Sequence, residues 1–183
     1  MFSKTGLRDQ MLNSRESLSE EEVSVSSKAV VDKVLNLPDY ISADTILAYY
    51  PIRNEINTLP IIEDALNKGK RVGLPVTLDN GEMLFYEIWD VSEVSEGRYG
   101  VMEPAKDILV EADDAFMIVP GVAFDMRKNR IGFGAGYYDK YLARFSDIYT
   151  CALAYDFQVI DAFATEEHDK SVDMIITERQ MII

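Results

Sequence analysis

The feature that most restricts the fold is a set of short apolar runs lacking polar alternation. "DTILAYYP", "RVGLPV", "AFMIVPGVAF", "YTCALAY" and "DMIIT" are each of strand length, and several are apolar throughout. A strand with no polar face must be covered on both sides. Strands of this kind alternating with helical patterns predict a parallel sheet packed between helices. The expected fold is therefore α/β, a three-layer arrangement with a mainly parallel central sheet flanked by helices. The 183 residues suit one domain spanning 1–183.

The helical patterns fall between these runs. Residues 3–16 read as a helix on which Lys4, Arg8 and Arg15 lie within roughly 40° of one another at about 100° per residue. Leu7, Met11 and Leu18 form an apolar stripe beside them. A cationic trio is unusual in a chain with a formal net charge of -14, so an anion site competes with a solvated face. "SLSEEE" opens a second helix, with Ser19 and Glu22 spaced as a capping box. Val23, Ser27, Val30, Val34 and Leu37 recur at helical spacing until Pro38. Thr58 is a candidate cap for a helix reaching about Lys68, with Gly69 as its stop. "EMLFYEI" after the "DNG" turn is a further strand, and "EGRYGVMEP" reads as a loop.

Composition excludes several classes. The acidic surface repels nucleic acid and anionic membranes, so neither is an expected partner. No run approaches the roughly 20 apolar residues of a membrane span. "MFSKTGLRDQ" has no apolar core of a secretion signal, which makes a cytoplasmic protein the expectation. The lone cysteine, Cys151, excludes an internal disulfide and reads as a buried thiol. His168, the single histidine, lies among acids, and no cluster supports a zinc site. The oligomeric state is open, with a monomer favoured.

The stretch "RIGFGAGYYDKYL", residues 130–142, concentrates three glycines between Arg130 and Asp139. It lies between a strand and a helix expected from about Tyr137 to Phe145. Glycines let backbone amides approach a ligand closely, and amides at a helix N-terminus face bound anions. Arg130 can add a bidentate fork to phosphate, and Asp139 can hold a magnesium ion that bridges phosphates. A tight turn that only permits close packing explains the glycines equally well. The stretch lacks the Lys-Ser/Thr ending of a Walker loop and is too compact for a dinucleotide fingerprint. Of Tyr137 and Tyr138, one can stack on a flat heterocycle while the other packs inward. Asp173, before "MIIT", reads as a turn or strand-start residue.

"PGVAFD", Arg130, "GFGAGYYDKYL", "EEHD" and "DMIITE", with Lys4, Arg8, "YYPIRNEINT" and "ALNKGKRVGLPV", resemble the 5-formyltetrahydrofolate cyclo-ligase family over essentially the whole chain. The resemblance implies ATP- and magnesium-dependent closure of 5-formyltetrahydrofolate to 5,10-methenyltetrahydrofolate, releasing ADP and phosphate. By position it implies Lys4, Arg8, Arg130 and the segment Gly132, Phe133, Gly134, Ala135, Gly136, Tyr137 and Tyr138 as the ATP site. It assigns Arg130 and Tyr138 to the reacting groups, and Asp139 with Asp173 to magnesium. Tyr50, Glu55, Phe133 and Tyr137 would line the folate pocket. Ala135 departs from the family's usual glycine or basic residue and is tolerated at negative φ. "DMRKNR" lacks the usual turn glycine, which Asn129 can replace in a left-handed conformation. A catalytically silent nucleotide- or folate-binding regulator on the same scaffold is the alternative. A sugar-phosphate isomerase-like enzyme would leave the N-terminal basic stripe without a purpose.

Overall fold

A computed structural model describes residues 3–111, 114–145, 148–166 and 169–183. Its sheet core has five strands in parallel: β1 (Thr45–Leu47), β2 (Arg71–Thr77), β6 (Phe116–Val119), β9 (Tyr149–Leu153) and β11 (Met174–Ile176). Antiparallel β3 (Met83–Ile88) and β12 (Met181–Ile182) extend the two edges. The full order is β12-β11-β9-β6-β1-β2-β3. The chain leaves β1 for β2 on one side and later places β6 on the other. Such a reversal opens a crevice beyond the carboxyl ends of β1 and β6, where ligands bind in doubly wound sheets.

The non-alternating apolar runs are explained by two cores, one on each sheet face. Ile46, Phe116, Ile118, Cys151, Leu153, Met174 and Ile176 point into one core. Leu47, Met117, Val119, Ala152 and Ile175 point into the other. Helices α2 (Glu20–Val34), α3 (Pro38–Ser42) and α4 (Leu59–Asn67) close the first face through Val30, Val34, Tyr40, Ile61 and Ile62. The second is closed by the six-residue helix α5 (Tyr137–Leu142) and by loops, so the helical cover is unequal. Cys151 is fully buried, and burial pushes its thiol pKa up. Among the described residues, no helix is long and apolar enough to cross a membrane.

A second, three-stranded sheet of order β10-β7-β8 sits beside the crevice: β7 (Ala123–Asp125), β8 (Arg130–Ile131) and β10 (Val159–Ile160). The β7–β8 turn is organised by Asp125, whose Oδ1 accepts from the amides of Arg127 and Asn129, both at 2.9 Å. The left-handed residue in it is Lys128, φ 66°, not Asn129; the Asn129 side chain instead donates to Asp125 Oδ2 at 2.9 Å. Helix α1 (Lys4–Glu16) lies on this small sheet, with Leu7 and Met11 buried against Val122, Ala123, Ile131 and Phe163. Burying such side chains contributes about 1.5–3 kcal/mol each, which anchors α1 next to the segment leaving β8.

Several sequence expectations are met locally. Ser19 and Glu22 form the reciprocal capping box, Gly69 follows α4 with φ 72°, and Ala135 is not among the positive-φ residues. Others are corrected. Thr58 occupies the N-cap of α4 but makes no cap hydrogen bond; its hydroxyl donates to the Tyr49 carbonyl at 2.6 Å. The helix after the glycine cluster ends at Leu142 rather than Phe145. "EGRYGVMEP" is a hairpin, with β4 (Val94–Glu96) antiparallel to β5 (Met102–Pro104), and Glu103 pins it to β2 by accepting from the Thr77 amide at 3.1 Å. Gly121, in the turn leaving β6, has no room for a side chain: a Cβ there would lie 2.3 Å from the Phe124 ring. Gly121→Ala is therefore expected to destabilise the protein by about 1–3 kcal/mol through overpacking. Urea denaturation measures this; an unchanged midpoint would contradict the packing described.

Candidate functional site

The crevice at the strand reversal opens into a cleft of about 970 Å³. Tyr49, Tyr50, Ile52, Arg53 and Glu55 reach it from the end of β1, Pro120 from β6, Thr77 from β2, and Gly132 to Asp139 from β8 into α5; Lys4 and Arg8 close it from α1. Among the described residues, seven basic side chains line it against five acidic ones. The cleft is thus locally cationic in an acidic protein, which suits an anionic ligand.

Glu55 marks one end. The loop before it is strained: Arg53 and Asn54 have φ 47° and 55°, a conformation costing about 1–3 kcal/mol each. Surrounding bonds enforce it. Arg15 Nε donates to the Arg53 carbonyl at 2.9 Å. Asn54 Nδ2 donates to the Arg15 and Leu18 carbonyls at 3.2 and 3.1 Å, and the Tyr155 hydroxyl donates to the Asn54 carbonyl at 2.9 Å. Glu55 is 6% exposed. Its Oε2 accepts from the Ile52 amide at 3.0 Å. Its Oε1 lies 3.8 Å from Arg15 Nη1 and has no hydrogen-bond partner. Burial raises the Glu55 pKa to about 7, against the lowering effects of Arg15, the Ile52 amide and Arg53.

The glycine segment forms the other end. Gly134 and Gly136 have φ 107° and 70°, which only glycine adopts without strain. Arg8 lies over the segment, Nε donating to the Gly132 carbonyl at 2.8 Å. Arg130 lies against it from within: a Cβ at Gly132 would come 2.7 Å from Arg130 Nη1. The Arg130 fork is engaged by protein, with Nη2 donating to Asp139 Oδ1 at 2.9 Å and Nη1 to the Pro120 carbonyl at 3.3 Å. Lys4 Nζ bonds Asp169 Oδ2 at 2.5 Å and lies 3.4 Å from Glu166. The described buried side-chain atoms without a hydrogen-bond partner are Arg15 Nη2, Glu55 Oε1, Arg130 Nε and the Tyr138 hydroxyl. All four belong to the cleft or its walls. An unsatisfied buried polar group costs about 1–3 kcal/mol, so their gathering here makes this cleft the candidate ligand site.

The structure brings together Lys4, Arg8, Tyr50, Glu55, Arg130, Gly132, Phe133, Gly134, Ala135, Gly136, Tyr137, Tyr138 and Asp139 around this one cleft. Phe133 is 41% exposed and presents its ring there. Tyr137 and Tyr138 both pack partly against the second core, while the Arg130 guanidinium lies 5.6 Å from the Tyr138 ring centre. Two expectations change. Asp173 is absent from the cleft lining. Its Oδ2 accepts from the Thr150 amide and hydroxyl at 2.8 and 2.6 Å, where β9 and β11 begin, so it braces the opposite sheet end. Arg15 does not hydrogen-bond the glycine segment as Arg8 does; its guanidinium bonds the Arg53 carbonyl, lies near Glu55 and meets that segment only at the Phe133 ring. The hairpin residues Arg98, Val101 and Glu103 also line the cleft, as do Lys140 and Lys170, none of which sequence reasoning selected. His168 lies outside the described residues. Among the described residues, no group of three or more His, Cys, Asp or Glu is placed to hold a metal ion by itself.

Fold and cleft together define a doubly wound α/β domain with a cleft at its strand reversal. The family model described as "5-formyltetrahydrofolate cyclo-ligase family" matches residues 1–178. The chain belongs to the 5-formyltetrahydrofolate cyclo-ligase family. It is 29% identical to the 5-formyltetrahydrofolate cyclo-ligase of Escherichia coli K12, covering 89% of this chain and 93% of that one. It is also 29% identical to the mouse protein of the same name, over 96% and 94%. The solved structure of Aquifex aeolicus 5,10-methenyltetrahydrofolate synthetase superposes with a TM-score of 0.87 at 34% identity, covering 97% of this chain and 91% of that one.

The Glu55 environment has a consequence for stability. Its folded pKa of about 7 exceeds the ordinary 4.5. Between these values the folded state keeps a proton that the unfolded chain has released. This contribution therefore disfavours the folded state progressively as pH rises from 4.5 to 7 and levels off above, by about 3 kcal/mol in all. Glu55→Gln is expected to flatten that slope in ligand-free protein followed by denaturation across pH 5–8. Parallel slopes for the two proteins would contradict it.

Proposed function

We propose that the protein converts 5-formyltetrahydrofolate to 5,10-methenyltetrahydrofolate at the expense of ATP, with magnesium. The observation that carries this reading is the convergence of Glu55 and the glycine segment on one cleft in a chain of this family. The reaction needs both ligands side by side. The formyl oxygen attacks the γ-phosphorus of ATP, releasing ADP. The neighbouring N10 then attacks the formyl carbon, phosphate leaves with the formyl oxygen and takes up the proton lost from N10, and the five-membered ring closes. An amide-like oxygen leaves poorly until it is phosphorylated, so the protein's work is alignment and charge neutralisation.

The chain's residues divide that work. Ionised Glu55 accepts two N–H bonds from the amino-pyrimidine edge of the pterin, which a protonated carboxyl cannot. Tyr50, Phe133 and Tyr137 supply flat or apolar walls. Main-chain N–H groups from Gly132 to Tyr138 receive the phosphates, and Lys4, Arg8 and Arg130 neutralise them. Lys4 exchanges its Asp169 contact for phosphate. The Tyr138 hydroxyl and Arg130 Nε, unpartnered in the walls, gain partners as charge develops on the transferring group. Magnesium commonly binds one or two carboxylates together with substrate phosphates. Asp139 fits that donor set: it stands in the cleft, with Oδ1 oriented by Arg130. Bound there, the ion neutralises charge on the phosphates. Asp173 has no part in it.

A silent regulator on this scaffold would bind both ligands without turnover. Purified protein mixed with 5-formyltetrahydrofolate, ATP and magnesium is expected to generate the near-ultraviolet methenyl chromophore; tight binding of both ligands without product would establish the regulator instead. Glu55→Ala is expected to weaken folate use and Arg8→Ala ATP use, each by about 10–100-fold, the loss of one charged hydrogen bond. Steady-state kinetics with each substrate varied separates the two. Equal losses for both substrates in both variants would contradict the division of roles.

A further inference from the structure

We propose that Arg15 is a positioning residue that holds the Glu55 carboxylate in place for the pterin and fastens it to α1, the helix that brings Lys4 and Arg8 to the glycine segment. The inference rests on the reading of Glu55 as the pterin-recognising group.

Arg15 is 1% exposed, a costly position for a cation without a purpose at the site. Its contacts reach three parts of the cleft wall. Nε donates to the Arg53 carbonyl at 2.9 Å and Nη1 to the Gly121 carbonyl at 3.3 Å. These carbonyls belong to the loops leaving β1 and β6, the two strands that flank the crevice. The guanidinium also lies 5.5 Å from the centre of the Phe133 ring. It therefore ties the strained Arg53–Asn54 pair, the β6 turn and the glycine segment to one planar group. At 3.8 Å, Nη1 and Glu55 Oε1 attract but do not hydrogen-bond. The carboxylate keeps an acceptor for a ligand while a fixed positive charge favours its ionised form.

Two turns separate Arg8 from Arg15, about 10 Å along the helix axis. One rigid element thus carries a side chain for each end of the cleft. Among the described residues, the groups facing Glu55 are few. Arg15 and Arg53 are the cations. Tyr49, Tyr138 and Tyr155 are hydroxyls kept neutral because burial raises their pKa values. Of the two cations, the Arg53 side chain is more than half exposed and solvent-screened, which leaves Arg15 as the counter-charge.

The test is calorimetric binding of 5-formyltetrahydrofolate from pH 5.5 to 9. Wild-type affinity is expected to rise through about pH 7 and then level. In Arg15→Gln the midpoint is expected to move up by about 1 pH unit or more, with affinity at pH 7.5 falling about tenfold. Arg15→Lys, for use if the first variant does not fold, keeps the charge but not the fork. It is expected to hold the midpoint near 7 while losing affinity. In a Glu55→Gln background, either Arg15 substitution should cost little further affinity. A structural role alone would lower the melting temperature and leave the midpoint unmoved; an unmoved midpoint in Arg15→Gln, or wild-type affinity in Arg15→Lys, overturns the proposal. If wild-type protein shows no pH-dependent folate binding, the reading of Glu55 fails instead, and the proposal with it.

Discussion

The cleft depends on α1 being clamped across the carboxyl ends of the main sheet. A strand reversal alone gives an open crevice. The helix closes it, anchored by Leu7 and Met11 in the small sheet and by two arginine forks reaching backbone carbonyls: Arg8 to Gly132, and Arg15 to Arg53 and Gly121. Without these bonds, the loops after β1, β6 and β8 would have no common partner. Apolar contacts set where the helix lies, while the carbonyl acceptors set how far it approaches the glycine segment.

The same arrangement explains why destabilising features gather in one place. Two non-glycine residues have positive φ before Glu55, a carboxyl is buried with a raised pKa, and among the described residues four buried polar atoms lack partners. Each costs of the order of 1 kcal/mol or more. The two packed faces of the sheet sustain this expense, and the result is a site whose donors and acceptors are fixed before a ligand arrives. In phosphoryl transfer, such preorganisation is most of what a protein contributes.

Much of this was legible in the sequence because it rests on patterns with a fixed period or a local geometry. Apolar runs on both strand faces announced a parallel sheet, and the spacing of Ser19 and Glu22 announced a helix start. What escaped depends on distant partners. Arg15 has the same helical phase as Lys4 and Arg8, but the helix crosses from the glycine segment to the Glu55 loop along its length, so one stripe serves two environments. Asp173 reads as a strand-start residue and is one, its carboxylate taken by Thr150 on the neighbouring strand; only the magnesium role implied by the family motif is lost. "EGRYGVMEP" has loop composition, and its strands exist because they pair with each other and because Glu103 reaches Thr77. The left-handed turn residue fell on Lys128 because Asp125 holds Asn129 by both amide and side chain.

The central claim is that one cleft aligns a folate and a nucleotide for direct transfer between them. A crystal structure with 5-formyltetrahydrofolate and a non-hydrolysable ATP analogue measures this directly. The account predicts the pterin edge on Glu55, the phosphates against residues 132–138, and the formyl oxygen about 3–3.5 Å from the γ-phosphorus. Ligands seated in separate places, or a formyl group facing away from the phosphates with α1 still docked, would contradict it.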